Sequence, residues 1–198
     1  MPDPAKRSVC VFCGARPGAD PAHATAARAL GRALAGAGMR LVYGAGDVGL
    51  MGTVAAAAVE AGGATLGVVP QHLIDREAQG RDRSAMIVTE TMHERKKVMF
   101  MNADAIVALP GGAGTLDELF EVLTWRQLGL HAKPVFLLDS GEYWAPFGAL
   151  VSHVVAQGFA GPEVLGYYDV VPGVPELIAG LQARLGSGVH AGGSTARR

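Results

Sequence analysis

The segment best suited to binding an anion is Pro110-Gly-Gly-Ala-Gly-Thr-Leu-Asp-Glu118, which follows an apolar run and leads into a helical pattern. A glycine-rich turn at the start of a helix exposes backbone N–H groups at the positive end of the helix dipole, so the segment predicts an anion site. It is not a P-loop, because no lysine follows the last glycine. A second interpretation stays open: Thr115 and Glu118 have the spacing of a capping box, in which Glu118 only satisfies a backbone N–H.

A second chemically unusual segment is Thr91-Met-His-Glu-Arg-Lys-Lys97. Thr91 and Glu94 have the spacing of another capping box, which predicts that a helix begins there. Three cations then crowd the first turns, where each is disfavoured by about 0.3–1 kcal/mol. A bound phosphate would offset this cost; the alternative is a solvated basic face.

The segment Gly44-Ala-Gly-Asp-Val-Gly49 matches the G-x-G-x-x-G pattern of dinucleotide sites. It follows the second predicted strand rather than the first, and no acid ends the third strand to hold a ribose, which argues against NAD. Two interpretations remain. The glycines either let a phosphate or ribose approach the backbone closely, or form tight turns with no ligand role.

These segments lie within an alternation of short apolar runs and longer helical patterns. Strands are predicted at residues 8–13, 40–43, 65–69, 85–88, 105–109 and 135–138, and helices at 21–37, 50–61, 93–102, 115–128, 147–157 and 175–185. In the helix at 115–128, Leu116, Leu119, Phe120 and Leu123 are expected to share one buried face. The pattern predicts an α/β, Rossmann-like, doubly wound domain, with a mostly parallel sheet and helices on both faces. We expect one domain over residues 1–185 and a disordered tail over 186–198.

Composition and charge limit the classes of partner and the cellular compartment that we expect for this protein. The 198 residues carry a net charge of −1, without the basic footprint of a nucleic-acid binder, and no apolar run reaches the ~18 residues of a membrane span. Cys10 and Cys13 lie on one predicted strand with their side chains on opposite faces, which indicates buried thiols and a cytoplasmic protein. The six histidines show no metal spacing.

Taken together, residues 92–96 and 110–118 resemble the paired signature of the LONELY GUY (LOG) family, the cytokinin riboside 5′-monophosphate phosphoribohydrolases. The resemblance covers about residues 8–170. It includes Val11-Phe-Cys-Gly14, Leu41-Val-Tyr-Gly44, Gly49-Leu-Met-Gly52, Ala103-Asp-Ala-Ile106 and Thr124-Trp-Arg-Gln-Leu-Gly129.

The resemblance implies hydrolysis of the N-glycosidic bond of N6-modified adenosine 5′-monophosphates, which releases the free base and ribose 5-phosphate. It also implies that Arg95 and Glu118 are catalytic, that no organic cofactor is needed and that the protein is a homodimer. The expected substrate contacts are Gly14, Gly44, Gly46, Glu77, Lys96, Gly111, Gly112, Ala113, Gly114, Thr115, Leu116, Asp117 and Thr124.

Two departures from the family pattern bear on substrate preference. Ala15 stands where the family often has a serine that could bond a phosphate, and Ala45 stands where it often has glycine. The base itself, prenylated or plain adenine, is left open. An alternative function is a non-catalytic carrier of a nucleotide or of molybdenum cofactor. Lysine decarboxylation is disfavoured, because no pyridoxal-phosphate lysine context is recognisable.

Overall fold

A computed structural model of the protein describes residues 7–74 and 86–186. Its centre is one sheet of seven strands: β1 (Ser8–Phe12), β2 (Arg40–Tyr43), β3 (Thr65–Pro70), β4 (Met86–Thr89), β5 (Ala105–Ala108), β6 (Val135–Leu138) and β7 (Asp169–Val171). The strand order is β4-β3-β2-β1-β5-β6-β7, and every neighbouring pair is parallel. The predicted fold class is confirmed.

Six described α-helices cover the two faces of this sheet. They are α1 (Pro21–Gly36), α2 (Gly49–Glu60), α3 (Met92–Met101), α4 (Ala113–Gln127), α5 (Ala145–Ala156) and α6 (Val174–Gly186). Helices α1, α2 and α6 pack on one face and α3, α4 and α5 on the other, so two apolar layers sandwich the strands. None of the described helices is long and apolar enough to cross a membrane.

The two cysteines lie in different layers of the core. Cys10 packs with the α3–α5 layer and Cys13 with the α1–α2–α6 layer, and both are free and buried. Burial raises the pKa of both thiols above the ordinary range, which disfavours the thiolate. The prediction of buried thiols on opposite faces is confirmed.

The sheet has its topological switch point between β1 and β5. From β1 the chain builds β2 to β4 on one side, then returns to build β5 to β7 on the other. Loops after β1 and β5 therefore diverge, and such a crevice at the carboxyl ends of strands is where doubly wound sheets bind ligands. The two loops still touch, since the Gly14 N–H donates to the Pro110 carbonyl at 3.0 Å.

Several predicted elements differ from the observed ones. Helix α4 begins at Ala113, two residues before the predicted start at Thr115. The strand β7 was absent from the prediction, because it has three residues and is only half-buried at the sheet edge. The predicted tail beyond Gly186 and the 75–85 segment lie outside the described residues.

The buried face of α4 also differs from the predicted one. Leu119 and Leu123 are buried as expected, but Phe120 is 40% exposed. The inward face instead consists of Thr115, Glu118, Leu119, Val122 and Leu123. These positions follow the i, i+3, i+4 spacing of a helix face, so a threonine and a glutamate point inward with the leucines.

Candidate active site

A cavity of about 570 Å³ opens at the switch point of the sheet. The loop at residues 13–19 and the loop at 110–112 form two of its sides. The remaining lining residues are His23 of α1, Leu50 and Met51 of α2, Met92, Arg95 and Lys96 of α3, Gly114, Thr115, Asp117 and Glu118 of α4, and Tyr143 after β6. The cavity therefore joins two of the three segments that the sequence singled out, 91–97 and 110–118.

Glu118 is a buried carboxylate on the cavity wall. Its side chain belongs to a residue that is only 8% exposed, and no described residue donates a hydrogen bond to it. Burial raises the pKa of Glu118 to about 7, against the attraction of Arg95, which lowers it, and with a further increase from Asp117. A carboxyl group in this state can hold or accept a proton near neutral pH.

The capping-box interpretation of Thr115 and Glu118 is wrong. Helix α4 has Gly112 as its N-cap residue and no side-chain cap. Thr115 and Glu118 are the third and sixth residues of the helix, and neither side chain caps it. Within residues 7–74 and 86–186, no side chain accepts from the first N–H groups of α4 at the rim of the cavity, and such groups favour an anion.

Tyr143 holds the glycine-rich loop before α4 in place, because its hydroxyl donates to the Gly111 carbonyl. There is no room for a side chain at Gly111, because a Cβ there would lie 2.1 Å from Thr115 Oγ1. The loop is thus fixed against the start of α4, as a site built to receive an anion requires.

Arg95 links strand β3 to the residue that follows strand β2. It is 5% exposed, its Nε donates to the Val68 carbonyl at 3.2 Å, and its Nη2 donates to the Gly44 carbonyl at 2.9 Å. Its Nη1 lies 3.8 Å from the sulfur of Met92, a cavity-lining residue. Because two of its nitrogens are bonded to backbone, the guanidinium is oriented before any ligand arrives.

Helix α3 does begin with a capping box. Thr91 Oγ1 accepts the Glu94 N–H at 3.1 Å, and the Glu94 carboxylate accepts the Thr91 N–H at 3.3 Å. The solvated-face interpretation is wrong for Arg95 and Lys96, which are buried, whereas Lys97 is exposed.

Lys96 links α3 to α4. Its Nζ lies 2.9 Å from Asp117 Oδ2 and 3.1 Å from Glu121 Oε2. Burial alone would lower the pKa of Lys96, but its hydrogen bonds to Asp117 and Glu121 outweigh burial and raise the pKa above its ordinary value. Lys96 is therefore charged, and its charge is already balanced by two carboxylates.

The glycines of the 44–49 segment serve packing rather than the cavity. A Cβ at Gly44 would lie 1.7 Å from Arg95 Nη2, so this glycine makes room for the guanidinium. Gly49 has φ +64°, and a Cβ there would lie 2.3 Å from the carbonyl carbon of Ala15. Neither Gly44 nor Gly46 lines the cavity. The geometry favours the tight-turn interpretation.

The two departures from the family pattern have different consequences. Ala45 is fully buried with φ 61°, a left-handed conformation that glycine adopts more easily. Ala15 lines the cavity with a methyl group, where a serine would present a hydroxyl.

Most of the predicted site residues meet at one cavity, whereas others do not. Those that line it are Gly14, Arg95, Lys96, Gly111, Gly112, Gly114, Thr115, Asp117 and Glu118. Gly44, Gly46, Ala113, Leu116 and Thr124 lie outside its lining. Thr124 is exposed, and its hydroxyl donates to the Phe120 carbonyl at 2.7 Å. Glu77 lies outside the described residues.

The sequence prediction missed Arg16, His23, Met51, Met92 and Tyr143 as lining residues. Tyr143 follows β6 at the carboxyl edge of the sheet, so the rule that ligands bind at this edge could have found it. His23 lies inside α1 and had no such signal. Among the described residues, no group of three or more His, Cys, Asp or Glu side chains could hold a metal ion.

Comparison with known proteins gives the family. Residues 51–181 match a family model described as "Possible lysine decarboxylase". The chain is 42% identical over 181 residues to the cytokinin riboside 5′-monophosphate phosphoribohydrolase of Rhodococcoides fascians, with 91% of each chain covered. The chain is a member of the LONELY GUY (LOG) family. It is also 41% identical to the LOG phosphoribohydrolase of Oryza sativa subsp. japonica, over 89% of this LOG family chain and 73% of the relative.

Solved structures similar to this LOG family member support the fold. The molybdenum cofactor binding protein from Rippkaea orientalis superposes with a TM-score of 0.70 at 23% identity, covering 92% of this chain and 99% of that one. The Moco carrier protein from Chlamydomonas reinhardtii gives a TM-score of 0.69 at 26% identity, covering 91% and 98%. Identity to these carriers is well below identity to the phosphoribohydrolases.

Proposed function

We propose that the protein hydrolyses the N-glycosidic bond of N6-modified adenosine 5′-monophosphates, releasing the free base and ribose 5-phosphate. The observation that carries this proposal is one cavity that holds both a helix N-terminus with no side-chain cap and the buried carboxylate of Glu118, which accepts no hydrogen bond from any described residue. The first feature suits a phosphate, and the second suits the positive charge that develops on the sugar when a glycosidic bond breaks. The names of the relatives at 41–42% identity agree with this activity.

In the proposed reaction, the phosphate binds at the Gly111–Gly114 turn and the start of α4. The bound phosphate anchors the ribose, so its C1′ carbon is presented to the cavity wall that carries Glu118. Binding energy from the phosphate, which does not react, is thereby used to orient the carbon that does.

Glu118 then acts on the sugar carbon or on the attacking water. As the bond from C1′ to the base nitrogen breaks, the carboxylate stabilises the oxocarbenium-like charge. A water molecule adds to C1′ and transfers one proton to Glu118, which passes it to the departing base nitrogen, so that the water is divided between ribose 5-phosphate and the free base. The pKa of about 7 lets Glu118 accept that proton near neutral pH.

Arg95 is the proposed partner of this carboxylate. With Nε and Nη2 bonded to backbone carbonyls, the guanidinium is held in place and its Nη1 hydrogens face the Met92 side of the cavity. From there it can donate to the purine or to the phosphate. Its charge also limits the rise in the pKa of Glu118, which keeps part of the carboxylate ionised at pH 7.

The experiment is to incubate the protein with isopentenyladenosine 5′-monophosphate, AMP and isopentenyladenosine, and to measure free base by chromatography. We expect release from the modified monophosphate and none from the riboside. The rate ratio to AMP gives the base preference. Saturable binding of the monophosphate without release would favour a carrier, and carbon dioxide release from lysine would favour a decarboxylase.

We also propose that two copies pair and that the protein works in the cytoplasm. Phe120 on α4 and Leu150 on α5 are 40% and 49% exposed, and Phe120 packs on Phe147 of α5. A second copy placed over these helices would remove that apolar surface from water. The two free, buried cysteines suit a reducing compartment. Sedimentation at several protein concentrations tests the pairing.

A further inference from the structure

The arginine and lysine side chains that line the cavity differ in the hydrogen bonds and ion pairs that they already make. Arg95 donates to two backbone carbonyls and lines the cavity together with Glu118. Lys96 is held by Asp117 and Glu121. Lys96 is therefore balanced by two carboxylates, and the guanidinium of Arg95 already uses two of its nitrogens on backbone carbonyls.

Arg16 is the exception. Its side chain is exposed, it lines the same cavity, and it makes no hydrogen bond or ion pair with any residue that the structure describes. The nearby acid Asp20 does not line the cavity. His23, which does, is hydrogen-bonded through Nδ1 to Ser140 Oγ at 2.8 Å. Arg16 is therefore the uncompensated cation of the described cavity wall.

The backbone of Arg16 is fixed close to the anion-binding turn. Two residues earlier, the Gly14 N–H donates to the Pro110 carbonyl at 3.0 Å, and a Cβ on Gly14 would lie 3.3 Å from Gly111 Cα. On the other side, Gly49 packs so closely that a Cβ there would lie 2.5 Å from the Arg16 nitrogen. The side chain thus starts from an anchored position beside the Gly111–Gly114 turn.

We propose that Arg16 binds the phosphate of the substrate and sets the preference for monophosphates over ribosides. This inference rests on the proposed function. A phosphate monoester carries close to two negative charges at pH 7, and the N–H groups at the start of α4 supply only a partial positive charge. Ala15 provides no hydroxyl to add a hydrogen bond. The guanidinium of Arg16 supplies the missing charge and two parallel donors.

The test compares Arg16→Ala and Arg16→Lys with the wild type, and uses Arg28→Ala as the control. Arg28 is an exposed cation on α1 that does not line this cavity. Two readouts are needed. The first is kcat and KM for isopentenyladenosine 5′-monophosphate, with base release from its riboside as the baseline, and the second is the Kd of inorganic phosphate by calorimetry at two salt concentrations.

For Arg16→Ala we expect KM for the monophosphate and Kd for phosphate to rise about tenfold or more, which is the loss of one charge-assisted contact. The kcat should change by less than about threefold, because the contact is the same in the bound and transition states. The salt dependence of phosphate binding should weaken, since a solvent-exposed cation acts through a screened charge. Arg16→Lys should recover part of the loss, and Arg28→Ala should match the wild type.

Wild-type KM and Kd in Arg16→Ala would overturn the inference, as would wild-type protein that binds no phosphate. The calorimetric readout also separates this inference from the proposed reaction. If the wild type released no base but bound phosphate about tenfold more tightly than Arg16→Ala, the role of Arg16 in anion binding would stand and the hydrolase proposal would fail.

Discussion

Helices α3 and α4 each carry a Thr-x-x-Glu segment in their first turns, and the two segments do opposite things. In α3, Thr91 and Glu94 exchange hydrogen bonds with the backbone and both are exposed. In α4, Thr115 and Glu118 are 3% and 8% exposed and neither caps the helix. The same sequence pattern gives a solvent-facing cap in one helix and a buried carboxylate in the other.

The residues that precede each segment account for the difference. Glu90 precedes Thr91, and the chain enters α3 directly from β4. Before Thr115 stands the Gly111–Gly114 turn, and Gly112 takes the N-cap position with no side chain to bond the helix. The helix can begin two residues earlier, which carries Thr115 and Glu118 past the cap and onto the inward face. A Thr-x-x-Glu motif therefore predicts where a helix begins only when the residues before it do not supply a different N-cap.

The largest effect we predict for a change outside the α4 segment comes from Gly44→Ala. Its Cβ would lie 1.7 Å from Arg95 Nη2, so the guanidinium must leave its bond to the Gly44 carbonyl. We expect kcat/KM for the monophosphate to fall about 100-fold, because small displacements of an orienting group are costly. Gly148→Ala is the control, since a Cβ there meets no atom within 4 Å. Wild-type activity in Gly44→Ala would show that the basic start of α3 has no catalytic part.

The pH dependence of stability distinguishes the two glutamates. Burial raises the pKa of Glu118 from 4.5 to about 7. Between these values the unfolded chain has released the proton while the folded protein still holds it, so the free energy of unfolding falls as pH rises and is lowest above pH 7. The fall attributable to Glu118 is about 3 kcal/mol at most.

Urea unfolding of Glu118→Gln and Glu94→Gln from pH 4.5 to 8 measures that contribution. Glu118→Gln should lose the downward slope in this window, whereas Glu94→Gln should keep it. A slope that is the same in Glu118→Gln and in the wild type would mean that Glu118 titrates as an ordinary surface acid.

The smallest effect we predict is on the cap of α3. Thr91→Ala removes the acceptor of the Glu94 N–H and should lower the free energy of unfolding by about 1 kcal/mol. The kcat/KM should stay within about threefold of the wild type, because Arg95 is also held by two carbonyls far from the cap. Chemical denaturation and steady-state assays on one preparation give both values. An unchanged free energy of unfolding would mean that water replaces the Thr91 hydroxyl as the acceptor of the Glu94 N–H.

Much of the fold and part of the site could be predicted from the sequence. Strands β1 and β5 are short, mostly apolar runs that are followed within two residues by glycine or proline, so their existence and the loops after them could be predicted. Arg95 and Glu118 were found through motifs that are contiguous in the chain. The start of α4 was misplaced, because Ala113 and Gly114 look like part of a turn until the helix is seen to include them.

The missed parts of the site come from contacts between residues distant in sequence. Tyr143 reaches the Gly111 carbonyl across 32 positions, and His23 meets Ser140 across 117. Neither pairing has a local signature, because the hydrogen bond forms only when separate loops converge at the sheet edge. The short edge strand β7 was missed for a related reason, since its pairing with β6 defines it more than its own three residues do.

The most direct test of the account compares Glu118→Gln with Glu94→Gln in release of base from isopentenyladenosine 5′-monophosphate. We predict that Glu118→Gln lowers kcat about 1,000-fold or more, because the amide can neither accept a proton nor stabilise the sugar cation. Glu94→Gln should keep the wild-type rate and lose only stability. Full activity of Glu118→Gln, or an equal loss in both variants, would contradict the assignment of the buried carboxylate as the catalytic group.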